Sequence, residues 1–78
     1  MRLPESEIEK VCRWASRVVY LFKVNVPITD MPDNEFMIIR YCWSYGDYLL
    51  CPDRWCEFDR ARKLKSVTFL GTVICRGE

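Results

Sequence analysis

The amino-acid sequence predicts an α+β fold: one N-terminal amphipathic helix packed on a small antiparallel sheet of three to four strands, a sheet short enough to curl into a barrel. Three observations carry this. Apolar residues recur at helical spacing near the start of the chain. Apolar and aromatic runs of strand length follow from residue 36 onward. Gly46-Asp47 separates two of those runs as a two-residue hairpin turn. With 78 residues, half of them apolar and 29% charged, the chain reads as a single globular domain, 1–78. A chain of this size buries only about 60% of the surface that its unfolded form exposes. One core with an aromatic filling is what it can support.

The helix is expected over 5–23. Ser6 and Glu9 have the spacing of a capping box. Behind them Ile8, Val11, Cys12, Ala15, Val18, Val19 and Phe22 fall on one stripe of the helical wheel. The other side carries Lys10, Arg13, Arg17 and Tyr20, with Trp14 on its flank. Basic and aromatic groups together offer a docking surface, and Trp14, Arg17 and Tyr20 are its candidate contacts. A plain solvated helix face would look the same.

Residues 24–35, with two prolines, read as an irregular connection. Asp30, Asp33 and Glu35 lie in it without the spacing of a calcium loop. Over 36–75 the sequence predicts a β-hairpin and further strands. Residues 36–43, FMIIRYCW, have the β-branched and aromatic content of a strand covered on both faces. Glycine first in Gly46-Asp47 suits a type II′ turn. That register sets Tyr45 opposite Tyr48, Trp43 opposite Leu50 and Cys42 opposite Cys51. Residues 54–59, RWCEFD, fit either a third short strand or the first turn of a weak helix. Residues 66–75 are the last strand, with Gly71 marking a bulge or bend.

There are five cysteines and no histidine. In a reducing compartment the cysteines default to buried thiols, and an odd count leaves at least one without a partner in the chain. Cys42 and Cys51 are the one geometrically sensible disulfide, because residues opposite each other at a non-hydrogen-bonded position have Cα atoms about 4.5 Å apart. A zinc site on Cys42, Cys51, Cys56 and Cys75 would have the spacing C-x8-C-x4-C-x18-C, which lacks a second knuckle. No metal and no cofactor are expected.

The strand content and the turn give the segment from 36 to about 70 a partial resemblance to the WYL-domain small β-barrel family. Phe36, Met37 and Ile38 stand where that family has its Trp, Tyr and Leu. Tyr41-Cys42 matches the end of the family's strand, and Phe58, Arg62, Leu64 and Ser66-Val67 follow in the family's order. The resemblance covers about half the chain. It implies a regulatory module that binds nucleic acid or a nucleotide-like ligand, with Arg40 and Arg62 as anion contacts.

No catalytic residues are assigned. Without histidine a Cys-His or Ser-His nucleophile pair is impossible, and three glycines form no phosphate-cradling loop. The net charge of +1 exerts no general pull toward nucleic acid or membrane. The first ten residues contain no apolar run and the longest one, 18–22, is far too short to span a bilayer. A cytoplasmic, non-membrane protein is therefore expected. The class that remains is a non-catalytic binding protein. It would dock on a larger protein and occlude it, as phage or mobile-element inhibitors of host machinery do, anti-CRISPR proteins among them. Arg60, Arg62 and Lys63 in the basic turn join the helix residues as candidate contacts. Nucleic acid is the alternative partner, and a homodimer is compatible with the aromatic supply.

Overall fold

Residues 18–24, VVYLFKV, form a strand rather than the end of a helix. The computed structural model describes residues 5–13 and 17–76. Within them, helix α1 spans Glu5–Cys12 and strand β1 spans Val18–Val24. The expected helix over 5–23 is therefore corrected to a helix of eight residues followed by a strand. The run Val18 to Phe22 satisfies both periodicities, since a continuous apolar stretch matches a helical stripe and a doubly covered strand alike. Two adjacent β-branched valines and two aromatics tip it toward the strand. Ser6 lies inside α1, so it does not cap it.

Helix α2 spans Asp33–Ile39, and here the expectation of a strand over 36–43 is overturned. Pro32 is its N-cap, and Asp33 and Glu35 occupy the first turn. Proline at the start loses no helical bond, and acidic groups there oppose the positive end of the helix dipole. The Pro32 carbonyl accepts from the Glu35 and Phe36 N–H groups at 3.0 and 2.9 Å. Upstream, a short 3-10 turn spans Ile28–Asp30 in the otherwise irregular connection.

Strand β2 (Trp43–Tyr45) and strand β3 (Tyr48–Pro52) form the hairpin across Gly46-Asp47. Their register pairs Trp43 with Leu50, Ser44 with Leu49 and Tyr45 with Tyr48, as the turn predicts. Gly46 has φ +58°, a left-handed value that glycine adopts without steric cost. Helix α3 covers Phe58–Ala61 and takes in only the last two residues of the segment 54–59; residues 54–57 form neither the short strand nor a helix. Strand β4 spans Val67–Ile74. Its register against β1 shifts between Leu21 and Phe22. Leu21 pairs with Gly71 and Phe22 with Phe69, which leaves Leu70 as the extra residue of a bulge.

The sheet is antiparallel and open, in the order β2-β3-β1-β4. It does not close into a barrel. Both of its faces are covered, which is why β1 reads as a near-continuous apolar run. On one face Phe22, Leu49, Cys51 and Val67 pack with Met31, Ile39, Cys56 and Ala61 from the connection, α2 and α3. On the other, Val19, Leu21 and Leu50 pack with Ile8 and Val11 of α1. Phe22, Leu49 and Leu50 are fully buried, each worth about 2 kcal/mol of apolar transfer.

Four polar or covalent ties hold these layers. The Trp43 indole N–H donates to Glu7 Oε1 at 3.2 Å, joining β2 to α1. Glu35 accepts from the backbone N–H groups of Lys65 and Ser66 at 3.3 and 3.1 Å, joining α2 to the start of β4. Cys12 and Cys75 form a disulfide with Cα atoms 5.5 Å apart, and Cys42 and Cys51 form a second with Cα atoms 4.4 Å apart. The default expectation of free thiols holds only for Cys56.

Candidate functional site: the open edge of the sheet

Strand β4 is the long edge of the sheet. One side pairs with β1, and among the described residues no strand pairs with the other. Edge strands present unpaired N–H and C=O groups, and proteins usually blunt them with charge, proline or short length. This edge has eight residues, VTFLGTVI, without a charged side chain or a proline. Phe69, Leu70 and Ile74 are 38%, 47% and 77% exposed along it. The bulge at Leu70 is the one blunting feature it carries.

Two features flank the edge. Toward the end of β4, a groove of about 670 Å³ runs between α1 and the strand. Ile8, Val73 and Ile74 supply its apolar wall, and Glu9, Arg13 and Arg76 its charged rim. On the opposite face an aromatic cluster borders the start of β4. Tyr20 stacks on Phe58 with ring centroids 4.3 Å apart, and Phe69 meets Phe58 edge-on at 5.0 Å. The Arg62 guanidinium lies over the Phe58 ring at 5.6 Å. Burial pushes the Tyr20 phenol above its ordinary pKa, and Asp53, Cys56 and Asp59 push it the same way.

The residues singled out in the sequence are distributed differently from expectation. Trp14 lies outside the described residues. Arg17 and Tyr20 are not on a helix face: Arg17 is exposed just before β1, and Tyr20 is half-buried within it. The Arg17 N–H donates to Asp53 Oδ1 at 3.1 Å, and its carbonyl accepts from the Cys75 N–H at 2.8 Å. Of the basic turn, Arg60 pairs with Glu57 at 3.4 Å and Arg62 with Asp59 at 4.0 Å. These are the local acids that a plain solvated turn would use, and exposed pairs of this kind contribute little to stability. Lys63 is exposed beyond α3. Arg40, the C-cap of α2, stacks on Tyr41 at 4.7 Å and donates to its hydroxyl at 2.7 Å. Arg40 and Arg62 are the C-caps of α2 and α3. Phe36, Met37 and Ile38, which stand in the place of the WYL strand residues, are in α2.

The edge itself was missed in the sequence. Residues 66–75 read as a strand, but only the strand order makes them an edge. The signal available was the absence of any charge between Ser66 and Cys75. No family model, curated protein or solved structure matches the chain.

Proposed function

We propose that this chain is a non-catalytic binding protein that takes an extended segment of a protein partner along the outer side of β4 and so occludes it. The single observation that carries this reading is the uncharged, proline-free edge of eight residues with its exposed Phe69, Leu70 and Ile74. Strand addition gains affinity from main-chain hydrogen bonds and specificity from alternate side chains. Here the alternate side chains of the incoming strand would meet the groove beside α1 on one face and the Tyr20, Phe58 and Phe69 rings on the other. Arginines at both ends, Arg13 and Arg76 in the groove and Arg62 over the rings, favour carboxylates flanking the apolar part of the partner segment. The non-catalytic part of the reading rests on the lack of histidine in the sequence.

The test is capture from lysate by the immobilised chain, with and without nuclease. Wild type is compared with Leu70→Lys/Ile74→Lys and with Arg60→Ala/Arg62→Ala/Lys63→Ala. Lysines at exposed edge positions leave the fold intact and repel an added strand. The expected result is a nuclease-resistant protein partner that the edge variant loses and the basic-turn variant keeps. Unchanged capture by the edge variant overturns the proposal. Capture that vanishes with nuclease and with the basic-turn variant moves the assignment to nucleic acid.

A further inference from the structure

The geometry points to a redox-gated site for a thiophilic divalent cation of the Zn²⁺ class, held by the thiolates of Cys42, Cys51 and Cys56. Three different segments converge there. Cys42 follows α2, where its N–H donates to the Ile39 carbonyl at 2.9 Å. Cys51 lies on β3, and Cys56 in the connection from β3 to α3. Their three sulfurs lie within 4.8 Å of one another. Three thiolates around one zinc at about 2.3 Å each stand about 4 Å apart, so small side-chain adjustments complete the set.

The alternative for Cys56 is a small buried hydrophobe, and placement beside a disulfide is what that reading leaves unexplained. Cys75, the fourth residue of the zinc spacing considered in the sequence, is tied to Cys12 on the other face of the sheet. No fourth cysteine or carboxylate joins the three sulfurs among the described residues. The fourth position of a tetrahedral ion would therefore be open to water, as in three-ligand zinc sites. Cys42 is half-exposed and provides the approach. Three thiolates leave a divalent ion with a net charge of −1, against −2 for a monovalent one, and a buried site favours the smaller charge.

The disulfide gates the site. A dithiol reductant breaks the Cys42–Cys51 S–S bond, leaves two S–H groups and departs as its own disulfide. Zn²⁺ then displaces the three S–H protons to solvent and forms three Zn–S bonds. Burial pushes the Cys56 thiol up to about 11. A free thiolate at neutral pH is thereby disfavoured, and with it exchange onto the neighbouring disulfide, whereas a coordinating metal deprotonates a thiol outright.

The experiment titrates Zn²⁺ alone against a chromophoric chelator, using the full chain before and after reduction by a dithiol and oxygen-free desalting. The expected result is one Zn²⁺ per reduced chain and none per oxidised chain. Cys56→Ala lowers the affinity by more than about 100-fold, beyond what loss of an outer-shell partner costs. Cys12→Ala/Cys75→Ala keeps it. X-ray absorption at the zinc edge of the reduced wild type shows three sulfurs at about 2.3 Å, a readout independent of whether any variant folds. Absence of stoichiometric binding by the reduced chain, or fewer than three sulfurs around the bound ion, overturns the assignment.

Discussion

Removing the Cys12–Cys75 disulfide by Cys12→Ala/Cys75→Ala tests how this small fold is held. The bond closes a loop across a sequence separation of 63 residues. In the chain-entropy account, a cross-link of that span removes about 14 cal/mol/K from the unfolded state, or about 4 kcal/mol at 25 °C. The whole stability of a chain this long is on the order of 4–12 kcal/mol. The bond is thus worth a third or more of what keeps the molecule folded. Both cysteines are half-buried, so truncation to alanine adds little packing loss. The assay is equilibrium unfolding in guanidinium chloride with the Cys42–Cys51 bond intact. The expected outcome is a fall of about 4 kcal/mol, with a steeper denaturant dependence because the released unfolded chain exposes more surface. A fall below about 1 kcal/mol with an unchanged slope refutes the reasoning. Such a result means that the unfolded chain is already compact and that the cross-link restricts nothing.

The shorter predictions concern three single residues. Cys56, with its thiol pushed up to about 11 by burial, reacts slowly with iodoacetamide at pH 8 in the folded protein and at an ordinary thiol rate in urea. Because its folded pKa lies above the unfolded one, its contribution to stability is complete below about pH 9 and is lost as pH rises toward 11; a melting temperature that stays level over that window contradicts this. Glu35 is held below the usual carboxylate range, first by the Ser66 side chain and then by the Lys65 and Ser66 backbone N–H groups, partly offset by desolvation. Its stabilisation is present above the ordinary carboxylate pKa and fades as pH falls through the lowered value, so Glu35→Gln should flatten the acid limb of a stability-versus-pH curve. Gly46→Ala, at φ +58° with nothing within 4 Å of the added methyl, should cost about 1 kcal/mol through backbone strain alone. Thermal melts would show Gly46→Asn costing less.

The hairpin was legible because two signals agreed: a glycine that fits the turn and a strand period that brings Trp43 to Leu50 and Cys42 to Cys51. The last strand was legible for its length and its β-branched content. Residues 18–23 and 36–39 exchanged identities for one physical reason. Val18 to Phe22 is apolar at every position, and so is Phe36 to Ile39; periodicity cannot tell a covered strand from a buried helix in such runs. Pro32 followed by Asp33 and Glu35 was the available clue to the helix, and it lay just outside the segment that looked like a strand. The Cys12–Cys75 bond leaves no trace in local sequence, because only the topology brings those residues together. The edge character of β4 is of the same kind: it belongs to the order of strands. Of the candidate contacts, Arg17 and Tyr20 were set on a helix face, whereas Arg17 precedes β1 and Tyr20 lies within it, so their neighbours were misread.

The strand order has a consequence for synthesis. β1 is the first strand to be made and it lies in the middle of the sheet, between β3 and β4. Both neighbours follow it in the chain: β3 begins at Tyr48, and Val18 waits for Ile74, more than half the chain later. β3 can satisfy one edge of VVYLFKV once Pro52 has been added, but the other edge stays unpaired until β4 follows. Long-range pairing of this kind is slow. One side of the most apolar strand therefore stays open until nearly the last residue of β4 has been added.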